Sequence, residues 1–407
     1  MSESRPHERT AIAGRQSALQ VFLVFLKLGV TSFGGPIAHL GYFREEFVTR
    51  RRWLNDKAYA DLVALCQFLP GPASSQAGIA IGVHRAGLLG GIVAWLAFTL
   101  PSAAALIAFA YGLAAHRQWA ESGWVHGLKL VAVAVVAQAV WGMGKTLTPD
   151  RERATLALAA AAATLLWPGA VTQLAVIAIG ALVGWRLLPL ADREPHLPLS
   201  FPISRRLGFS LLAIFFALLI GLPVLAAVSN STTLDAFDAF YRAGSLVFGG
   251  GHVVLPLLRA EVVPSGWVND ADFLAGYGAA QAVPGPLFTF AAYLGAVMDG
   301  PLGGWIGALL CLVAIFLPAF LLIVGVLPFW ERLRRHHAVA KAFNGVNAVV
   351  VGILLAALYD PIWITTVRTR LDFVLAVTGF AALTFWRLPP VAVVVALLIL
   401  GGALQAL

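Results

Sequence analysis

Two cations stand where cations are costly. Lys27 and Arg242 each lie inside an apolar run, and an ionised group near the centre of a bilayer costs about 2.5–3.5 kcal/mol on insertion scales, so it faces a cavity or a partner. A bound anion would offset that cost; snorkelling to an interface, or a carboxylate such as Asp61 or Glu261, would do the same. Each cation is followed by Phe-Gly-Gly, at Phe33-Gly34-Gly35 and Phe248-Gly249-Gly250, and further on by Pro-Gly-Pro, at Pro70-Gly71-Pro72 and Pro284-Gly285-Pro286. Proline removes a backbone donor and glycine tolerates the dihedrals of a break, so each Pro-Gly-Pro splits a helix in two. The second half then opens with free N–H groups and the positive end of its dipole, an arrangement that binds anions. Ser74 and Ser75 add hydroxyls to the first such terminus and Thr289 one to the second, and Gln67 and Gln281 stand three residues before the breaks. The bland alternative for the prolines is a simple kink, and for the Phe-Gly-Gly turns close helix packing through small residues.

The elements that must position these groups are transmembrane helices. Of 407 residues 59% are hydrophobic and 12% charged, whereas soluble domains are roughly half apolar and about a quarter charged. The apolar runs suit helices crossing about 30 Å of hydrocarbon, and the alternating pattern of a barrel is absent. The formal charge of +8 comes from Lys and Arg between apolar runs, as positive-inside topology requires, so nucleic acid is not an expected partner. Cys66 and Cys311 are the only cysteines, both within apolar runs; with no metal-ligand spacing among His39, His84, His126 and His252, no metal or cofactor is expected, and these histidines read as interfacial. The first apolar run holds Lys27 and ends in Phe-Gly-Gly-Pro, so it reads as retained and not as a cleaved signal.

The chain is duplicated. Phe25-Leu26-Lys27-Leu28-Gly29 returns as Phe240-Tyr241-Arg242-Ala243-Gly244, Arg44 and Glu46 return as Arg259 and Glu261, and Trp53-x-Asn55-Asp56 returns as Trp267-x-Asn269-Asp270. The Asn-Asp pairs read as helix caps. Arg44–Glu46 and Arg259–Glu261 are expected as gate pairs, and Asp61, matched by Ala275, as a candidate coupling acid. The first repeat, 1–190, holds apolar elements near 17–35, 56–83, 87–115, 124–144, 152–168 and 170–189. The second, 229–407, holds them near 236–251, 270–297, 301–330, 338–359, 371–387 and 390–407. Between them, 191–228 is a polar linker plus one unpaired helix. Six crossings per repeat and one extra would invert the second repeat relative to the first, a common transporter design. That topology places the basic stretch Arg44 to Lys57 on the outer side, against the positive-inside rule; Pro-Gly-Pro elements that re-enter instead of spanning would change the parity.

The segments FLKLGVTSFGGPIAHLGYFREEFV and WLNDKAYADLVALCQFLPGP, with their second copies FYRAGSLVFGGGHVVLPLLRAE and WVNDADFLAGYGAAQAVPGP, resemble the chromate ion transporter family in its long-chain, two-domain form. The resemblance covers nearly the whole chain, departing where Gly251 replaces the counterpart of Pro36. It implies a multi-pass secondary transporter of the bacterial inner membrane that exports chromate, a tetrahedral dianion like sulfate, and confers chromate resistance. Export accords with the physics: two charges leaving a negative-inside cell gain about 4.6 kcal/mol per 100 mV. Expected contacts are the oxyanion and membrane lipid, and a homodimer stays open. Sulfate or another oxyanion is the alternative cargo. An intramembrane enzyme lacks an acid, base or nucleophile constellation, and a membrane scaffold would have no need of two broken helices.

Overall fold

The computed structural model describes residues 6–116, 122–188, 201–229, 231–248, 251–330 and 337–405. Gly249, Gly250 and much of the linker therefore lie outside the described residues. Regular structure among those described is helical throughout, as the composition requires.

Each repeat begins with two hairpins that enter the bundle and turn back at its middle. In the first repeat α1 (Pro6–Thr31) ends at the Phe-Gly-Gly turn and α2 (Gly35–Arg44) returns, continuing through a π turn at Glu45–Arg50. The return is fixed by aromatic packing, with Phe25 of α1 5.6 Å from Phe43 and 5.0 Å from Phe47 between ring centres. Next, α3 (Asp56–Phe68) runs inward to Pro-Gly-Pro and α4 (Ala73–Ala115) runs outward again. At Ala86 and Gly87 the dihedrals leave the helical region, and α4 reverses into a second limb, 88–115. Gln20 reaches Arg85 at 3.4 Å, whereas Gly29 rests on the backbone of Ala97 and Phe98. The second limb therefore lies parallel to α1 and the first limb antiparallel to it.

The second repeat settles whether Pro-Gly-Pro elements cross or re-enter. There α9 (Thr232–Ser245) and α10 (Val254–Val262) form the first hairpin, α11 (Asp270–Ala282) and α12 (Phe290–Val297) the second. Tyr293 of α12 donates to the carbonyl of Asp272 in the first turn of α11 (3.0 Å), and the amide of Asp299 donates to the carbonyl of Trp267 (2.9 Å). Both ends of the element thus lie together, and the element re-enters. Asn55 and Asn269 cap α3 and α11 through the amides of Ala58 and Asp272, each worth about 1 kcal/mol.

Full crossings follow. They are the second limb of α4, α5 (Gly123–Leu147), α6 (Arg151–Leu166), α7 (Ala170–Leu187) and the unpaired α8 (Arg205–Ser229). The second repeat adds α13 (Trp305–Val326), α14 (His337–Ala357), α15 (Arg370–Thr384) and α16 (Pro390–Gln405). Five of the helices are long and apolar enough to span by length and composition; α6, α7, α15 and α16, of 15 to 18 residues, cover about 22–27 Å beside them. Four crossings per repeat is even, as six would be, so α8 still delivers the second repeat to the opposite face and the repeats are inverted. The hairpins also return Arg44 to Lys57 to the face on which α1 starts, which removes the conflict with the positive-inside rule. That first face carries Arg44, Arg50, Arg51, Arg52, Lys57, Arg85, Lys145, Arg151, Arg153, Arg186, Arg205, Arg206, Lys341 and Arg387 at helix ends. The second carries Arg259, Arg368 and Arg370. Exposed tryptophans ring both levels, Trp185 and Trp386 at the first, Trp167 and Trp305 at the second, as membrane interfaces favour.

The repeats are interlocked. α5 packs against α15 and α16, while its counterpart α14 packs against α6 and α7. Gly127 lies on the backbone of Leu397, and Gly345 on that of Gly180.

Candidate functional site

The four hairpin tips meet at the centre through a reciprocal pair of backbone bonds. The amide of Gly71, in the first Pro-Gly-Pro, donates to the carbonyl of Val247, just before the second Phe-Gly-Gly (2.7 Å). The amide of Gly285, in the second Pro-Gly-Pro, donates to the carbonyl of Ser32, just before the first Phe-Gly-Gly (2.9 Å). Both glycines have positive φ, 115° and 104°, a region that a side chain makes costly.

The two broken helices differ in what they present there. Ala73, Ser74, Ser75 and Gln76 head the first limb of α4; all but Ala73 are buried, and the leading amides of a helix have no partner within it. The hydroxyl of Ser74 lies 3.3 Å from Nδ1 of His39, whose Nε2 faces the carbonyl of Ser32 at 3.1 Å. Gln76 donates to the carbonyl of Pro70 (2.7 Å). The hydroxyls of Ser32, Ser75 and Thr99 and Oε1 of Gln76 are buried with no hydrogen-bond partner, an arrangement native proteins keep for a reason. His39 is fully buried, not interfacial as its place in the sequence suggests. In the second repeat Leu287, Phe288 and Thr289 form a short turn ahead of α12, and Thr289 donates its hydroxyl to Pro286 (2.7 Å). Gln281 keeps a buried Nε2 without a partner, whereas Gln67 is exposed. Gly34 caps α2 at φ 100°, with Gly35 following at 76°.

Lys27 and Arg242 stand about one turn back from the tips, each held by the equivalent glutamate. Lys27 Nζ is 3.8 Å from Glu46, and Arg242 is 3.2 Å from Glu261 and 2.7 Å from Asp238. The gate pairs form with different partners from those expected. Arg44 binds Asp56 (2.6 Å) and Arg259 binds Asp270 (2.8 Å), closing the mouths of the hairpins, while Glu46 goes to Arg51 (2.6 Å) and Lys27. Asp61 is buried and accepts from Nε1 of Trp330 (3.2 Å).

The two faces of the bundle differ. On the first face Phe68, at the end of α3, packs on Phe343 of α14 (4.2 Å) and Trp330 (5.8 Å), and Phe343 meets Phe248 beside the tip (5.5 Å). On the second face a cavity of about 960 Å³ opens between α5, the outer limb of α4 and the mouth of α11 and α12, lined by Tyr111, His126, Lys129, Asn269, Asp272 and Arg368 among others. Among the described residues no group of three His, Cys, Asp or Glu is placed to hold a metal ion.

Comparison with known proteins agrees with this architecture. The chromate transporter family model matches residues 19–185 and 234–403, one match per repeat. A chromate transport protein of Pseudomonas aeruginosa is 31% identical over 93% of this chain and 89% of its own length. A probable chromate transport protein of Synechococcus elongatus is 29% identical over 84% of each chain. A chromate transport protein of Cupriavidus metallidurans is 27% identical over 88% of this chain and 87% of its own. No solved structure matches. With five helices among the described residues long and apolar enough to cross a membrane and a family match in both halves, this multi-pass plasma-membrane protein belongs to the chromate transporter family.

Proposed function

We propose that this chain exports chromate by alternating access around the meeting point of the four hairpin tips, and so confers chromate resistance. The observation that carries the reading is the reciprocal Gly71–Val247 and Gly285–Ser32 bonding beside a helix terminus rich in donors at Ser74 and Ser75. Half-helix N-termini at the interface of inverted repeats are where transporters hold anions, and backbone amides and hydroxyls suit the oxygens of a tetrahedral dianion. Separating the tips would free Gly71 and Gly285 as two further donors, one from each repeat. Pro70, Pro72, Pro284 and Pro286 keep both breaks in place, and Gly34 and Gly35 supply the positive φ of the first turn; Gly249 and Gly250 stand at the matching positions of the second repeat in the sequence. In this reading Lys27 and Arg242 trade their glutamates for the dianion as it passes, and the Arg44–Asp56 and Arg259–Asp270 pairs hold the hairpin mouths.

The positive-inside rule makes the basic first face cytoplasmic, so the cavity opens outward and the aromatic seal lies inward. The membrane potential then drives the dianion from the sealed side to the open side, by about 4.6 kcal/mol per 100 mV, or roughly a thousandfold gradient. The test is labelled chromate uptake by inside-out vesicles containing the protein, with the interior made positive and excess sulfate as competitor. Potential-dependent accumulation, absent without the protein, is expected. Accumulation of labelled sulfate but not chromate would reassign the cargo, and movement of neither under any gradient would end the transport reading.

A further inference from the structure

The open cavity on the second face carries charges that the hairpin tips do not account for. Lys129 lies in α5, six residues and about 9 Å from its first residue Gly123 at 1.5 Å per residue, and is half-buried in the cavity wall. Arg368, in the exposed turn between α14 and α15, lines the same cavity. Among the described residues neither is within ion-pair distance of a carboxylate. Arg368 spends Nε on the carbonyl of Thr365 (3.1 Å).

The neighbouring acids are occupied. Asp372 accepts from His126 (2.7 Å) and from the amides of Arg368 and Thr369 (3.0 and 2.9 Å). Asp272 attracts Lys129 at longer range, but its Oδ2 accepts from Asn269 (2.7 Å). Asp299 is exposed at the rim. An ammonium inside a span faces a partner or a water-filled cavity; here it faces the cavity and a second cation. On the first face, among the described residues, Phe68 packs instead on Phe343 and Trp330 near the tips.

We propose that Lys129 and Arg368 form an outer oxyanion site, distinct from the tips, that holds a tetrahedral dianion in the vestibule between the centre and the second face. The site rests on the oxyanion-transport reading and adds a station to its path. Two cations converging on one dianion give charge-assisted bonds without the half-helix geometry of the centre.

The test measures exchange of labelled chromate, then labelled sulfate, in vesicles of both orientations, varying the oxyanion on one face at a time. For Lys129→Gln and Arg368→Gln the half-saturating concentration on the second face should rise about ten- to hundredfold, the loss of one charge-assisted hydrogen bond. That on the first face should stay unchanged, and Lys129→Arg should restore the original value. Arg368 is on an exposed turn, so its variant stays informative if Lys129→Gln fails to fold. An unchanged value on the second face, or equal changes on both faces, would overturn the outer site and leave the transport reading standing. Wild-type protein that exchanges no oxyanion from either face would overturn both.

Discussion

Glu46 and Glu261 occupy equivalent positions in the two repeats, and each holds the equivalent cation. What surrounds them is opposite in sign. Around Glu46 the first repeat adds Arg50 and Arg51, so one buried carboxylate serves three cations. Around Arg242 the second repeat adds Asp238, so two carboxylates share one guanidinium. Inversion places the cationic cluster toward the basic face and the acidic cluster toward the open one. The tips diverge in parallel: Ser74, Ser75 and His39 in the first repeat, Leu287 and Phe288 in the second. A duplicated fold thus supplies two broken helices and two hairpin ion pairs in matching places, and single substitutions make their surroundings unlike.

The largest effect should follow from Arg242→Gln. It leaves Asp238 and Glu261 facing each other without their cation in a site where Arg242 is 23% exposed. Removing one partner of a buried pair costs about 3–5 kcal/mol. A clear loss of folded protein, or a fall in the thermal midpoint in detergent, is expected. An unchanged midpoint would mean that the acidic cluster is solvated and that the contrast between the repeats is superficial.

The aromatic seal tests the other half of the contrast. Phe343→Ala deletes the ring that links Phe68 to Phe248, and removing a packed phenylalanine costs about 3 kcal/mol or more. If, as proposed above, those contacts join elements that separate when the first face opens, the cost falls mainly on the sealed state and shifts the population by about a hundredfold. A cysteine placed at Ser75, with Cys66 and Cys311 replaced by alanine, should become reactive toward an impermeant reagent added on the first face. Continued protection would show that the seal lies elsewhere.

Much of this architecture is legible from spacing. The Lys27 and Arg242 registers, the paired turns and breaks and the extra helix 207–228 all follow from the duplicated motifs, because those positions obey backbone rules written locally. What the spacing does not disclose depends on folding back. The stretch after the first Phe-Gly-Gly turn mixes apolar and charged residues, and in the structure its charges are spent within the hairpins, with Arg44 on Asp56 and Glu46 on Lys27. Partners are set by hairpin register and not by adjacency, so the Arg44–Glu46 pairing that the sequence suggests does not form. His39 gains its role from Ser32 and Ser74, which two separate hairpins bring to it. Asp238 and Phe343 gain their meaning only from the partners that folding brings to them, Arg242 for the one and Phe68 and Phe248 for the other. The signal that could have found Lys129 was its charge inside the apolar run 124–144.

Lys27→Gln should have the smallest effect on stability, and it separates the two clusters most sharply. Lys27 is 55% exposed and lies 3.8 Å from Glu46, which keeps Arg51 at 2.6 Å and Arg50 at 3.5 Å when the lysine is gone. With an exposed ammonium at this distance and two arginines left on the buried carboxylate, the contact contributes about 0–1 kcal/mol, so the thermal midpoint should barely move, in contrast to Arg242→Gln at the equivalent position. Transport should respond differently. If the cation serves the passing dianion, saturable uptake falls while the protein stays folded, because Arg50 and Arg51 hold Glu46 but sit at the far end of the hairpin from the tip. If uptake and midpoint are both unchanged, Lys27 is only a solvated member of the cationic cluster, and the burden of attracting the anion passes to the helix terminus at Ser74 and Ser75.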